Sequence, residues 1–240
     1  MDTTTPALDT LIETRIALHR LAAYAIAPVR YQATERFGLR YTDGGFGTPV
    51  FNGRRIRVEG LQLIDEAPNS TRSTEITTLQ AAAEFLGSTV DETTAAEHDS
   101  PAAGDHNEQL PIDLASSQWL GQWFGMAFDA LNELRTDEAS IDASEVQLWP
   151  GHFDPAIETG DENHRASYGA SPGDDAIPEP YLYLGAWWPD RINLDANDPF
   201  WNSTTFTGAL LRINDFPADQ DPTAVAVEFW REARDKLAQA

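Results

Sequence analysis

Between positions 148 and 164 the chain reads Leu148-Trp149-Pro150-Gly151-His152-Phe153-Asp154-Pro155-Ala156-Ile157-Glu158, then Asp161-Glu162-Asn163-His164. A strand over 152–158 would put His152, Asp154 and Glu158 on one face, and Phe153 and Ile157 on the other. An imidazole and two carboxylates on a shared face can hold a divalent metal, with His152 and Asp154 as ligands, or tune one another for acid–base work. Pro155 confines such a strand to an edge or a bulge, because it has no N–H for a ladder. The plainer alternative is an antiparallel sheet whose solvent face carries ordinary polar residues.

A second group of polar and aromatic residues follows in Tyr168-Gly169-Ala170-Ser171-Pro172-Gly173-Asp174-Asp175 and Pro178-Glu179-Pro180-Tyr181-Leu182-Tyr183. Pro178 and Pro180 hold Glu179 extended, so Asp174, Asp175 and Glu179 stand on a turn-dense loop beside Tyr168, Tyr181 and Tyr183. Carboxylates next to aromatic platforms suit sugars or cationic ligands. They also arise wherever a polar loop joins two aromatic strands. Gly169-Ala-Ser171-Pro-Gly173 matches the pattern of a nucleophile elbow, yet Pro172 has no N–H to give an oxyanion hole, and Pro178 and Pro180 block the helix that an elbow feeds. Ser171–Asp174 instead predicts a type II turn, with Pro and Gly at its centre.

Composition removes whole classes of chemistry. The 240 residues contain no cysteine, which excludes disulfides, thiolate nucleophiles and cysteine-ligated metal or iron–sulfur centres. Lys236 is the one lysine, so a Schiff-base or phosphate-loop lysine has no candidate elsewhere. With 39 acidic and 16 basic side chains the formal net charge is -23, which repels phosphate backbones and anionic lipid. Neither nucleic acid nor a membrane is therefore expected as a partner; a small molecule or a protein is. The acidity fits either adaptation to a salt-rich cytoplasm or plain compositional bias with acidic loops. Residues 1–6 lack a basic leader and no apolar run of membrane-spanning length follows, so a cytoplasmic location is expected.

The elements that must position these groups are legible in outline. Residues 6–27 predict an amphipathic helix capped by Thr5, with Pro28 kinking or ending it and a further turn running to about Arg36. The period changes to two at Phe37, and Asn52-Gly53 before Arg55-Ile56-Arg57-Val58-Glu59 predicts a β-hairpin region over about 37–65. A short helix from Thr78 to Leu86 stops at Gly87. Residues 88–112, with six acidic groups, two histidines and few large apolar side chains, read as an acidic mobile loop with His98 and His106 in solvent. Asp113 caps a long helix striped by Leu120, Trp123, Phe124, Ala127, Phe128, Leu131 and Leu134. Strands are expected near 145–149, 152–158, 164–169, 181–187 and 206–213, and Asp221-Pro222 opens a last helix. All seven tryptophans fall at or after residue 119, so most of the rigid apolar mass lies in the second half. The pattern predicts a single α+β domain over 1–240, mainly an antiparallel sheet with helices packed at the N-terminus, middle and C-terminus.

The segments Trp149-Pro-x-His152-Phe153-Asp154, Tyr168–Asp174 and Pro178–Tyr183 together resemble a group of uncharacterised bacterial proteins, and are similar to a broader domain-of-unknown-function family. The resemblance spans about 148–189 and implies a shared fold and a shared site without naming a reaction. The functional expectation is thus a small-ligand-binding or interaction domain using the 152–158 strand and the 169–183 loop, with His152, Asp154, Glu158, Tyr168, Asp174, Glu179 and Tyr181 as binding candidates. The alternative is a hydrolase or isomerase that uses a divalent metal or paired carboxylates in the same place, His152 and Asp154 being the ligands.

Overall fold

The computed structural model describes residues 6–98 and 100–240. The fold is α+β, with two antiparallel sheets and helices at the N-terminus, middle and C-terminus. The described residues fall into two compact units: 6–125 with 148–154, and 126–147 with 155–240.

The first unit opens on helix α1 (Leu8–Leu21), a π-helical turn at Ala22–Ile26 and helix α2 (Ala27–Thr34). The helix does not end at Pro28. Pro28 sits in the first turn of α2, where its missing N–H costs little, and the widened turn before it keeps the helix continuous. The chain leaves α2 through Glu35 at φ 57. The Thr5 cap lies outside the described residues.

Strands β1 (Arg40–Thr42), β2 (Gly45–Gly47), β3 (Arg55–Glu59), β4 (Gln62–Ala67) and β5 (Ser70–Glu75) then form a meander in chain order. Asn52 and Gly53, at φ 48 and 76, make the tight turn that their pairing predicts, and Phe51 and Arg54 exchange both backbone hydrogen bonds across it. Glycines at 45 and 121 allow close approach. A Cβ on Gly45 would stand 2.2 Å from the Val58 carbonyl oxygen, and one on Gly121 would stand 2.9 Å from the Gly44 backbone. Strand β5 was not legible: Ser70-Thr-Arg-Ser-Thr-Glu75 has no apolar alternation, and it joins the sheet through its backbone ladder to β4.

Helix α3 (Leu79–Leu86) begins at Thr78, whose hydroxyl accepts from the Ala81 amide, and ends at Gly87 with φ 75, as expected. The stretch read as a mobile acidic loop, 88–112, is instead tied down. It contains helix α4 (Glu92–Ala96), buries Ala95, Ala103 and Leu110, and lends its carbonyl groups to α1. Arg20 donates to the carbonyl oxygens of Ala103 and Asp105, and the Tyr24 hydroxyl donates to that of Pro101. His98 is not in solvent, for its ring stacks 4.1 Å from Phe37; His106 pairs with Glu92 at 2.9 Å. Backbone acceptors are invisible to composition, which is why polarity alone misread this segment.

Helix α5 (Leu114–Thr136) starts at Asp113, whose carboxylate accepts from the Ser116 amide at 2.8 Å. It gives its first part to this unit and its second to the other. Beyond it come β6 (Gln147–Trp149), β7 (Asp154–Thr159), β8 (Ala166–Ser171), β9 (Tyr181–Ala186), β10 (Gly208–Arg212) and helix α6 (Pro222–Leu237). The second sheet runs β10-β9-β8-β7-β6, each pairing antiparallel where its register is defined. Trp230 of α6 is fully buried and donates from its indole to the Tyr183 carbonyl at 3.0 Å, pinning the helix to β9. No helix among the described residues is long and apolar enough to cross a membrane.

Candidate functional site

The strand that was to align His152, Asp154 and Glu158 starts two residues late. Residues 151–153 form a turn in which Phe153 takes φ 58, and this reversal breaks the two-residue period before β7 begins at Asp154. The local cause is packing. Phe153 is fully buried, 5.0 Å from Phe46 and 5.1 Å from Phe124, and the ring stacks on His19 at 5.3 Å. The turn also presents carbonyl oxygens to His19, whose Nε2 donates to Pro150 at 2.8 Å. Burial pushes that imidazole down to about 4, against the lift from its two carbonyl acceptors, so His19 is a neutral structural donor at pH 7. His152 itself is exposed, while Asp154 is buried. Among the described residues no group of three or more His, Asp or Glu side chains is placed to hold a metal ion, so the His152 and Asp154 pair lacks the further ligand that a divalent metal needs.

The remaining candidates belong to the second unit. Glu158 stands 3.9 Å from the Arg165 guanidinium, which also reaches Asp142 at 3.2 Å. Tyr168, at 1% exposure, is a core residue whose phenol burial pushes upward, away from ionisation. Asp174 and Tyr181 are brought together, but for the loop's own sake. One Asp174 oxygen accepts from the amides of Ala176 and Ile177 at 2.7 Å each, and the other accepts from the Tyr181 hydroxyl at 2.5 Å. Gly173 at φ 100 fits the expected turn, and the Ser171 hydroxyl is buried and accepts from the Gly173 amide. Ile177, Tyr181 and Leu210 then pack together under Tyr183. The Asp174 carboxylate is therefore the anchor of a turn. Glu179 is half-buried between its prolines. The exposed Trp187 and Trp188 are covered by guanidinium groups, Arg165 at 5.2 Å and Arg191 at 4.9 Å, rather than left as open platforms.

A concave feature of this unit lies elsewhere, between β10 and α6. It is a cleft of about 390 Å³ lined by Phe200, Asn202, Leu210, Leu211, Asp215, Pro217, Gln220, Val225, Glu228, Phe229 and Glu232. Three local structures build it. Asp221 caps α6 by accepting from the Ala224 amide at 3.2 Å, and Val225, Glu228, Phe229 and Glu232 then recur at helical spacing along one face. Asn202 clamps β10 from the side: its amide nitrogen donates to the Leu210 carbonyl at 3.0 Å, and its oxygen accepts from the Leu210 amide at 2.9 Å. A 3₁₀ turn at Ile213–Asp215 then sends the chain back, held by the Ile213 amide donating to the Pro180 carbonyl at 2.9 Å.

The floor of the cleft is apolar and aromatic, with Phe200 and Phe229 at 5.7 Å between ring centroids. Its rim is acidic. Among the described residues Asp215 and Glu228 take no hydrogen bond and no ion pair through their carboxylates, and Glu232 has one partner, Lys236 at 3.8 Å. Lys236 stands at this edge of the cleft: Asp198 accepts from it at 2.6 Å, and its ammonium lies 5.3 Å from the Phe200 ring centroid. Sequence reading missed this site. The apolar face of α6 was legible as Ala226, Phe229, Trp230, Ala233 and Leu237, but the mixed stripe of Val225, Glu228, Phe229 and Glu232 at 3.6-residue spacing was the available signal.

The chain matches no family model, no curated protein and no solved structure.

Proposed function

We propose that the chain is a cytoplasmic small-ligand-binding domain whose ligand lies in the cleft of α6 and β10. The observation that supports this reading most is the pairing of a volume of about 390 Å³ and an apolar floor with two carboxylates, Asp215 and Glu228, that take no partner among the described residues. Small-molecule sites have that make-up: a concave, mostly apolar space with a few polar groups that fix orientation. The 152–158 and 169–183 residues support a ligand less well, because Asp174 and Glu158 are engaged internally and Tyr168 is core. A hydrolase or isomerase at those positions would require the same carboxylates to be open, so binding is the reading preferred.

The test is a ligand-observed NMR screen of a fragment collection against the native protein and a Leu211→Trp variant that fills the cleft. Leu211 is half-buried on β10, so the larger ring can project into the open space, and the melting temperature reports that the fold survives. Fragments that bind the native protein and lose their signal with Leu211→Trp are expected. A set of binders indifferent to Leu211→Trp would overturn the assignment of the site.

A further inference from the structure

We infer that the ligand of this cleft is a small organic cation, an amine or quaternary ammonium joined to a flat apolar body; this rests on the cleft being the binding site. Three carboxylates, Asp215, Glu228 and Glu232, stand on its rim, and no basic side chain is among the residues that line it. An anionic ligand would meet like charge there and a field set by a net charge of -23, whereas a cation would be drawn by both.

The floor favours the same class. Phe200 and Phe229 bring two aromatic rings to the lining, and the negative quadrupole of such rings attracts ammonium groups. The protein already shows this affinity with its own side chain, since the Lys236 ammonium rests 5.3 Å from the Phe200 centroid. Leu211 and Val225 complete an apolar surface that can take the body of the ligand, and an open cleft of about 390 Å³ has room for a compact molecule. Glu228 and Glu232 lie one helical turn apart on the same face of α6, so an ammonium held by one remains within reach of the other.

The experiment titrates three molecules of one shape: tryptamine, its neutral counterpart tryptophol and its anionic counterpart indole-3-propionate. Binding to the native protein is measured at low ionic strength by calorimetry. Three variants accompany it: Glu228→Gln with Glu232→Gln, Leu211→Trp, and Glu162→Gln with Asp190→Asn. The last removes two charges from exposed positions of the same unit outside the cleft, which controls for overall charge. Tryptamine is expected to bind at least tenfold tighter than tryptophol, with indole-3-propionate weaker still. The Glu228/Glu232 variant should bring tryptamine to within about twofold of tryptophol, and the control pair should keep most of the preference. Equal binding of tryptamine and tryptophol, both lost with Leu211→Trp, would overturn the cation and leave the cleft as a binding site. A preference that falls as much in the control pair would also overturn it, because the attraction would then belong to the whole surface. Absence of binding by all three at millimolar concentration, or binding that survives Leu211→Trp, would overturn both the cation and the site.

Discussion

The turn at 171–181 and the cleft along α6 use the same side chains in opposite ways. In the turn, Asp174 gathers two backbone amides and the Tyr181 hydroxyl, so both of its oxygens are already engaged. In the cleft, Asp215 and Glu228 share a lining with Phe200 and Phe229 and take no partner among the described residues. Both regions present carboxylates beside aromatics, and both touch Leu210, which packs under one and lines the other. The lesson is that local density of polar and aromatic residues does not mark a site. What marks it is whether the polar groups remain unengaged after the chain has satisfied its own backbone.

Asp174→Ala should have the largest effect on stability. It leaves the Ala176 and Ile177 amides without their side-chain acceptor, and it removes the carboxylate to which the Tyr181 hydroxyl donates. The expected loss is about 3 kcal/mol in urea unfolding, for hydrogen bonds to a charged group. Tryptamine affinity should stay within about twofold of native under folding conditions. A loss below about 0.5 kcal/mol would mean that the carboxylate does not anchor the turn, and the contrast would fail on that side.

Asp137 offers a second engaged carboxylate, packed against the other side of α6. Arg231 and Arg234 hold its carboxyl down at about 2, from an ordinary 3.8. Because the folded value lies below the unfolded one, the stabilisation is fully present above about pH 4 and is lost as the pH falls toward 2. The difference amounts to about 2 kcal/mol. Asp137→Asn should be less stable than native at pH 6 by that order, and the gap should close by pH 2. A gap that does not change with pH would contradict the ion pair as its source.

The smallest stability effect belongs to the cleft. Glu228→Gln with Glu232→Gln should shift unfolding by less than about 0.5 kcal/mol, since exposed charges with few partners contribute little. Its effect on the tryptamine preference should nonetheless be about fivefold or more. The two regions would then separate cleanly, one set of carboxylates moving stability and the other moving binding.

Much of the fold was legible in the sequence because its signals are local. Thr78 with Gly87, Asp113, Asn52-Gly53 and Asp221-Pro222 each set a boundary through their own backbone chemistry, and the structure places a boundary at each. What failed depended on distant partners. His152 was read in strand register, but the burial of Phe153 against Phe46 and Phe124 turns the chain first. The acidic 88–112 segment is held by Arg20 and Tyr24, more than 75 residues earlier, through carbonyl oxygens that every residue has. The cleft was hidden for the same reason. Its walls come from Phe200, β10 and α6, and no spacing rule joins them until the sheet has formed.

The most direct test of the central claim is an amide chemical-shift map of the ¹⁵N-labelled native protein titrated with tryptamine. The account predicts that the largest, saturable shifts fall at Leu210, Leu211, Val225, Glu228 and Phe229, with the amides of 169–181 nearly still apart from those that neighbour Leu210. Saturable shifts centred on Asp174, Glu179 and His152, with the α6 face unmoved, would contradict it.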